Sequence, residues 1–503
     1  EKEVEFLTGF IRKSQLYDAA LTEKRVKQYQ DYDFKNASSA QFTKKTDVLS
    51  EDCMKYIMEF AQLTAEEMKA FKEHVEAYRS LPDMTSTDSE AYKLRKQITP
   101  LFYDIYFKVF MQVQEDESTL SPILEMFLNF GFMDTQLAGE ENTKALYDLT
   151  GRLRQFHSER VYTVYEWLRS IYRGKNEPSK NEFELDYLAY LLEQRKNGDL
   201  TDEQVKKMQK DQKEKVRFEI QNMFSSANRV TYGKVTTFCP ILGEYDLINT
   251  IDKMAVTVEK LEDELNKVRK VDFSAFFREV NFSGDGKDIL NHELLMSEVL
   301  PDIILMPNAG TRAMMWQETA DKRRDTPARF LFPIFTAASL EDMMVETVAR
   351  YRWEMCRKIQ GVRWNDIREK SLTSEYCDYL QFYRKNRDLS TDAKDKLKTA
   401  IQRAKNNYRE VFVKDYQGWI NYESKGSFRL NKVAREILIV YCPFAKDIRA
   451  ALKVNPMYQT SIPKFERDNA KKAQRLTALY DKYQKAGGEI TEELKENLLY
   501  CQM

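Results

Sequence analysis

Residues 100–117, PLFYDIYFKVFMQVQEDE, show most clearly how this chain of 503 residues folds. Apolar side chains recur there every three or four positions, which is the spacing of one helix face and not the alternation of a half-buried strand. A proline precedes the apolar run and an acidic run follows it, so the segment has recognisable ends. The pattern predicts a core helix whose inward face is formed by Leu101, Phe102, Ile105, Tyr106, Val109, Phe110 and Val113.

The same helical spacing recurs along most of the chain, for example over residues 251–268 and 339–361. Glycine and proline number only 16 and 12, which leaves few of the turns that many-stranded folds need. The best strand candidate is a β-branched and aromatic stretch at residues 229–238. We therefore expect an all-α fold, an irregular multi-helix bundle with at most one short β-hairpin near residues 229–238.

The length of the chain exceeds what one hydrophobic core usually organises. After the capping sequence Thr201-Asp202-Glu203-Gln204, the predicted helix is rich in lysine and has the character of a solvated bridge. We therefore expect an N-terminal helical subdomain at residues 1–200 and a C-terminal helical subdomain at residues 201–503. The second subdomain contains a Pro/Arg/Trp-rich stretch, residues 300–335, that we expect to form loops.

Charge and composition exclude several classes of function. Lysine and arginine (79) nearly balance aspartate and glutamate (80), which argues against general binding of nucleic acid or of an anionic membrane surface. No apolar run reaches the ~18 residues that span a bilayer. The six cysteines and three histidines share no metal-ligand spacing, so we expect no metal site and no cofactor.

The start of the chain and the cysteine usage indicate a compartment. No signal-peptide pattern opens the sequence, and scattered cysteines are typical of reduced thiols, so we expect a cytoplasmic protein. The first residue, Glu1, suggests a processed chain or a part of a longer one.

Catalytic motifs are absent or incomplete in the sequence. Gly284-Asp285-Gly286-Lys287 resembles part of a phosphate-binding loop, but Asp288 stands where that loop needs serine or threonine. These residues are therefore predicted to form a turn. No serine elbow occurs, and no cysteine lies close to a histidine in sequence. We name no catalytic residue and favour a protein that is not an enzyme.

The stretch 300–335 is the best candidate for a binding site, because it breaks the helical pattern while carrying arginines and a tryptophan. Arginine offers a planar fork of donors that fits carboxylate or phosphate. The alternative is that these arginines pair with Glu318, Asp321 and Asp325 and only stabilise the fold. The hypothetical anion site consists of Asn308, Arg312, Trp316, Arg323, Arg324 and Arg329. Further cations and indoles downstream have spacings that allow them to converge on it: Arg350, Arg352, Trp353, Arg357, Arg363 and Trp364.

Two stretches carry resemblances to known proteins. Leu242-Gly243-Glu244 with Lys253-Met254-Ala255 is similar to the phosphate-binding cassette of cyclic-nucleotide-binding domains, but lysine replaces the arginine that grips the phosphate there. Residues 302–456, with Met306-Pro307-Asn308 and Met315-Trp316-Gln317-Glu318, resemble a region of large uncharacterised bacterial proteins. Some of those proteins carry a cyclic-nucleotide-binding domain upstream. The second resemblance implies no activity and no site residues.

Two hypotheses of function follow. The first is a non-enzymatic helical scaffold or signalling-output module that binds a protein partner or a second copy of itself. It is favoured by the helix-rich pattern, by the abundance of methionine and aromatic residues, and by the lack of a catalytic motif. The alternative is a protein or enzyme that binds a small anionic ligand, phosphate or carboxylate, through the arginines and Trp316 of residues 306–330.

Overall fold

The structure is a computed structural model, and it describes residues 55–80, 90–133, 148–153, 158–226, 241–242, 251–291, 293–317 and 327–503. The described residues form two compact units. The first consists of the described residues within 1–258, 303–314 and 331–339, and the second consists of the described residues within 259–302, 315–330 and 340–503. The units interleave along the sequence, and the division into subdomains 1–200 and 201–503 stays a prediction.

Helices dominate the described chain up to residue 254. They are α1 (Ala65–Ser80), α2 (Glu90–Glu115), α3 (Pro122–Phe130), α4 (Val164–Tyr172), α5 (Tyr187–Asn197), α6 (Asp202–Met208), α7 (Gln212–Ser226) and α8 (Ile251–Met254). Three short strands lie among them: β1 (Phe132–Met133), β2 (Val161–Thr163) and β3 (Ile241–Leu242).

Helix α2 contains the segment 100–117, and the predicted core helix is confirmed. All of its predicted inward side chains are buried except the partly exposed Leu101. The helix begins at Glu90, before the predicted start, and therefore carries Pro100 in its interior. Proline there removes one backbone hydrogen bond, so the buried apolar face and not local preference holds this turn in the helix.

The middle of the chain carries most of the strands. In order it forms α9 (Val258–Val271), β4 (Phe277–Asn281), β5 (Leu294–Glu298), β6 (Asp302–Ala309), β7 (Met314–Gln317) and β8 (Arg329–Phe335). Four strands make one sheet in the order β2-β6-β8-β7, in which β2 runs parallel to β6 with Val161 opposite Ile303. Strands β4 and β5 pair as an antiparallel hairpin, and β1 pairs with β3 in parallel.

The fold prediction is therefore confirmed for its helices and wrong in allowing at most one short β-hairpin. Residues 229–238, where that hairpin was expected, lie outside the described residues. The strands that were missed lie in the stretch 300–335 that was expected to form loops. Every residue of β8 is buried, and a strand covered on both faces is a continuous apolar run without alternation. Pro307 and Pro333 inside β6 and β8 also argue against a strand when the sequence is read alone.

Helices fill the rest of the second unit. They are α10 (Leu340–Gln360), α11 (Leu372–Phe382), α12 (Thr391–Arg403), α13 (Tyr408–Asn421), α14 (Lys432–Tyr441), α15 (Lys446–Leu452), α16 (Ser461–Lys485) and α17 (Glu492–Gln502). Helix α10 packs on α13 around the buried rings of Trp353, Tyr376 and Phe412. The β4-β5 hairpin packs on α16 and α17 through the small core of Val280, Leu295 and Tyr480. No described helix combines the length and the apolar stretch that crossing a bilayer demands.

Candidate functional site

The second unit contains a cavity of about 260 Å³ where β4, α10, the N-terminus of α11 and the end of α14 meet. We call this cavity the arginine pocket, because Arg278 and Arg352 both line it. Helix α10 presents one face to the pocket, since its lining residues are spaced by about four positions along the helix. The apolar part of the wall consists of Phe277, Met296, Met355, Ile359 and Leu372.

Arg352 is held in place by two groups that precede β4 and by a carbonyl at the end of α14. Its Nη1 lies 3.2 Å from Oδ2 of Asp272, its Nη2 donates to Oγ of Ser274 at 3.3 Å, and Nη2 also donates to the carbonyl of Tyr441. Burial is the largest single influence on the pKa of Arg352 and lowers it, but the Asp272 carboxylate together with Cys442, Tyr416 and Tyr500 raises this pKa above its usual value, so the guanidinium stays charged. Only the Nε–H of Arg352, which is buried, has no hydrogen-bond acceptor among the described residues.

Asp272 is fully buried, and both of its oxygens are engaged. Oδ1 accepts the backbone N–H and the hydroxyl of Ser274 at 3.1 and 2.8 Å, which closes a local turn directly after α9. Oδ2 accepts the hydroxyl of Tyr416 at 2.7 Å in addition to Arg352. The position of Arg352 is therefore fixed by a saturated carboxylate.

Arg278 enters the pocket from β4. Burial alternates along this strand, so that Arg278 and Val280 lie on its buried face. Burial raises the pKa of Tyr351, and the charge of Arg278 together with its hydrogen bond to this phenol opposes the rise. The two arginines thus reach the pocket from a strand and from a helix.

The N-terminus of α11 forms the third side. Ser371 caps this helix, because its hydroxyl accepts the N–H of Ser374 while Ser374 Oγ accepts the N–H of Ser371 at 2.9 Å. The other first-turn amides of a helix have no partner within it and carry partial positive charge. Lys370, directly before the cap, has a left-handed backbone with φ 47° and is exposed. Both Lys370 and Ser371 line the pocket.

Tyr441 connects this helix start to α14. Its hydroxyl lies 2.8 Å from Oε1 of Glu375 and 2.7 Å from the carbonyl of Lys370. Burial and the Glu375 carboxylate raise the pKa of Tyr441, so the phenol remains protonated and available as a donor. The contact fixes the backbone of Lys370 beside the pocket.

Cys356 places a thiol in the pocket wall. It is partly exposed, and its Sγ lies 3.4 Å from Oγ1 of Thr373. Cys377 and Cys442 are buried, and burial raises the pKa of these thiols to about 11 and about 12, which keeps them protonated. Cys356 therefore differs from these two in being within reach of a reagent that enters the pocket.

The hypothetical anion site in residues 300–335 is described only in part. Asn308 belongs to β6, Arg312 is exposed in the connection to β7, and Trp316 is a partly buried residue of β7. Arg329 is a buried residue at the start of β8. Arg323 and Arg324 lie outside the described residues, so this site stays a prediction.

The downstream arginines and tryptophans that were predicted to converge on that site have other contacts in the structure. Arg352 lines the arginine pocket, as described above, and Trp353 is buried with its ring 6.3 Å from that of Trp364. The remaining arginines pair with carboxylates: Arg350 with Glu346 and Glu410, Arg357 with Glu354, and Arg363 with Glu369.

The segment Gly284-Asp285-Gly286-Lys287 leads into a turn that is closed by the N–H of Ile289, which donates to the carbonyl of Gly286 at 2.9 Å. Lys287 directs its Nζ to the carbonyls of Ala486 and Gly487 just beyond the end of α16. A lysine at this position satisfies helix-end carbonyls and complements the helix dipole. In the structure, Lys287 therefore caps the C-terminal end of α16. Among the residues that the structure describes, no group of three or more His, Cys, Asp or Glu side chains is arranged to hold a metal ion.

A domain of unknown function, DUF8509, matches residues 361–500. The DUF8509 region supplies Lys370, Ser371 and Tyr441 to the arginine pocket, whereas Arg278 and Arg352 precede it in sequence. The pocket is thus assembled from this region and from the elements before it. No curated protein and no solved structure matches the chain.

Sequence reasoning missed most of the arginine pocket. Arg278 was the most accessible signal, because a strand prediction for residues 277–281 would have put a cation on the same face as Val280. Ser371 with Ser374 forms a capping box, which is visible in sequence as a helix start. No sequence signal brings Asp272 to Arg352, since the two residues lie 80 positions apart and meet only in the folded chain.

Proposed function

We propose that the second unit binds a small anion with an apolar body, such as a short-chain carboxylate, in the arginine pocket. The observation that carries the proposal is the buried Nε–H of Arg352, which has no acceptor among the described residues although the side chain lines a cavity. A buried donor without a partner costs about 1–3 kcal/mol, and an oxygen of a bound anion would remove that cost.

The charges around the pocket favour a negatively charged ligand. The lining residues include three cations, Arg278, Arg352 and Lys370, and one carboxylate, Glu279, and Asp272 balances the charge of Arg352. The N-terminus of α11 adds the partial positive charge of a helix dipole. The sum favours a group with one negative charge.

The size and the walls of the pocket support the rest of the ligand. Its volume of about 260 Å³ lies below the ~300–1,000 Å³ of pockets that hold drug-sized molecules, which favours a smaller one. Methionine, isoleucine and phenylalanine side chains line one side and offer burial to a hydrocarbon body. A short carboxylate fits both parts of the wall, because its charged group suits the cationic part and its hydrocarbon body suits the apolar part.

The test is a calorimetric titration of the full chain with hexanoate, 1-hexanol and inorganic phosphate. We expect hexanoate to bind more tightly than 1-hexanol, which has the same body without the charge, and more tightly than phosphate, which has the charge without the body. Lys370→Gln should weaken hexanoate and leave 1-hexanol unchanged. Equal binding of hexanoate and 1-hexanol, or no binding of either, would refute the proposal.

The same titration separates this pocket from the site hypothesised in the sequence. Arg312→Ala removes an exposed arginine of that hypothetical site and none of the pocket residues. If hexanoate binds in the arginine pocket, its affinity is unchanged by Arg312→Ala and reduced by Lys370→Gln. The reverse pattern would favour the site that includes Asn308, Trp316 and Arg329.

A second candidate function is the association with a protein partner or with a second copy that the composition suggested. Its support is a set of apolar side chains that the second unit leaves exposed, among them Val362 at 96% and Val454 at 80%. Light scattering on the purified chain tests it, because self-association gives a mass above 59.5 kDa. Replacement of Val362 and Val454 by serine should then lower that mass. A mass of one chain at all concentrations would count against self-association.

A further inference from the structure

The first unit contains a larger cavity, of about 540 Å³, that the proposed function does not use. Its walls are helices α2, α5 and α7 and the loop before α5. We call it the aromatic groove, because five rings line it: Tyr103, Phe107, Phe183, Tyr190 and Phe218.

Two helix faces oppose each other across the groove. Helix α2 contributes Thr99, Tyr103 and Phe107, which are spaced by four positions and so lie on one face. Helix α7 contributes Arg217, Gln221 and Ser225 at the same spacing. One wall therefore carries aromatic rings, and the facing wall carries a guanidinium, an amide and a hydroxyl in a row.

Arg217 stacks on the opposite wall. Its guanidinium carbon lies 4.2 Å from the centroid of the Phe107 ring, within the range of a cation–π contact. The side chain is 49% exposed, and its Nε is 3.6 Å from the carboxylate of Glu214. One face of the guanidinium thus covers Phe107, and much of its surface remains open to a second planar group.

Phe183 lies in a loop whose backbone is firmly held. The Oδ1 of Asn181 accepts the N–H groups of Phe183 and Leu185, both at 3.0 Å, and the N–H of Asn181 donates to the carbonyl of Leu185 at 2.9 Å. The Phe183 ring is nevertheless 73% exposed. A rigid loop that presents an exposed ring beside a cavity resembles the aromatic anchors found at recognition sites.

We propose that the aromatic groove binds an uncharged, planar heteroaromatic ring of the nucleobase class. Rings and a guanidinium plane provide stacking surfaces, which proteins use to hold bases that are free of a duplex. The exposed amide of Gln221 lies on the same helix face as Arg217 and can pair with the donor and acceptor edge of a base.

The charges of the groove select the ligand class. Asp104 and Glu182 line it together with Arg217; Asp104 pairs with Lys108 at 2.7 Å and Arg217 pairs with Glu214 at 3.6 Å, so one carboxylate is in excess. The excess carboxylate disfavours a phosphate, while the guanidinium over Phe107 occupies the place that an organic cation would take. An uncharged ring, as in a nucleoside, remains the class that fits.

The experiment is equilibrium dialysis of the full chain against adenosine, adenosine 5′-monophosphate and ribose. We expect adenosine to be retained with a Kd of about 1 mM or below. The monophosphate should bind several-fold more weakly, and ribose should not be retained. Arg217→Ala and Phe183→Ser should each weaken adenosine about 5- to 100-fold, which is the range that loss of one stacking partner produces.

Two matched variants control for general effects of these substitutions. Arg195→Ala removes a half-exposed arginine of α5, and Leu188→Ser removes an exposed apolar side chain of the same helix. Both should bind adenosine as the unmodified chain does. Lack of adenosine retention, unchanged affinity in both Arg217→Ala and Phe183→Ser, or tighter binding of the monophosphate than of adenosine would each overturn the proposal. Because Phe183 is so exposed, its variant should fold normally.

Discussion

Two of the buried arginine–carboxylate pairs among the described residues of the second unit, Glu423–Arg435 and Asp272–Arg352, differ in how completely their hydrogen-bonding groups are satisfied. Glu423 is fully buried and accepts five hydrogen bonds, from the backbone N–H groups of Arg429 and Leu430, from Nε and Nη2 of Arg435, and from the hydroxyl of Tyr458. Arg435 gives a further bond to the carbonyl of Leu430 at 2.7 Å. Asp272 is equally saturated, but its partner Arg352 keeps one buried N–H without an acceptor among the described residues and borders a cavity.

The difference shows that a buried ion pair alone does not indicate a ligand site. The Glu423–Arg435 pair has rings of Phe428 and Tyr458 beside its guanidinium, and the pair ties the loop before α14 to the start of α16. Such a pair serves the fold, and breaking it leaves a charge without a partner. The Asp272–Arg352 pair also serves the fold, but it leaves one buried N–H of an arginine that lines a cavity without an acceptor among the described residues. The feature that distinguishes the two pairs is the buried Nε–H of Arg352, which has no acceptor among the described residues.

The largest expected effect concerns the closed pair. Glu423→Ala should lower the free energy of unfolding by about 3–5 kcal/mol, because it strands Arg435 and two backbone N–H groups. Denaturant titration measures this loss. Hexanoate affinity should not change in the folded variant. Lys432→Ala, which removes a surface ion pair with Asp388, is the control and should leave stability nearly unchanged. A Glu423→Ala variant as stable as this control would contradict the assigned role.

The next effect concerns the open pair. Arg352→Gln should weaken hexanoate by about 1.5–3 kcal/mol, the value of a hydrogen bond to a charged group. Stability should fall as well, but by less than in Glu423→Ala, because Asp272 keeps its bonds to Ser274 and Tyr416. Calorimetry and denaturant titration on the same preparation separate the two effects. If Arg352→Gln lowered stability without lowering the affinity for hexanoate, the Asp272–Arg352 pair would serve only the fold, as the Glu423–Arg435 pair does.

A third carboxyl, the partly buried Asp415, sharpens the comparison, because it accepts a hydrogen bond from a phenol and has no arginine partner among the described residues. Burial raises the pKa of Asp415 from 3.8 to about 6, and the hydroxyl of Tyr376, 2.8 Å from Oδ2, only partly opposes the rise. Between these pH values the folded chain keeps the proton and the unfolded chain loses it. The free energy of unfolding therefore falls as pH rises from 3.8 to about 6 and receives no further change from this group above that range.

Asp415→Asn should remove this dependence and stabilise the chain at pH 7 by about 1–2 kcal/mol, a value reduced for the partial exposure of the side chain. The measurement is the difference in unfolding free energy between the two chains across pH 4–7. The difference should grow with pH up to about 6 and then stay constant. A difference that is flat across the whole range would show that Asp415 titrates normally.

The smallest effect concerns Lys370, which is exposed at the rim of the arginine pocket. Lys370→Gln should weaken hexanoate about two- to fivefold without a change in stability, as expected for a charge in contact with water. The loss should shrink at high salt, because salt screens exposed charges far more than buried ones. Calorimetry at two salt concentrations checks both statements. A salt-independent loss would point to a direct, desolvated contact.

The helices were predictable from sequence because each of them buries one face. Residues 100–117 and the Ser121 cap of α3 follow rules that operate within a few positions. Strands β6 and β8 were not predictable in the same way, because a strand buried on both faces has no alternation to distinguish it from a short helix. The arginine pocket depends on contacts such as Asp272 to Arg352 and Arg352 to Tyr441, which exist only after the long-range packing has formed.

The central claim, that the arginine pocket binds a small anion, is tested most directly at Cys356. This thiol lines the pocket, so its alkylation by iodoacetamide, followed by peptide mass spectrometry, reports on whether the pocket is filled. We predict that hexanoate slows alkylation of Cys356, that 1-hexanol does so much less, and that Arg352→Gln abolishes the protection. Alkylation of Cys356 at the same rate with and without saturating hexanoate, or protection that persists in Arg352→Gln, would contradict the account.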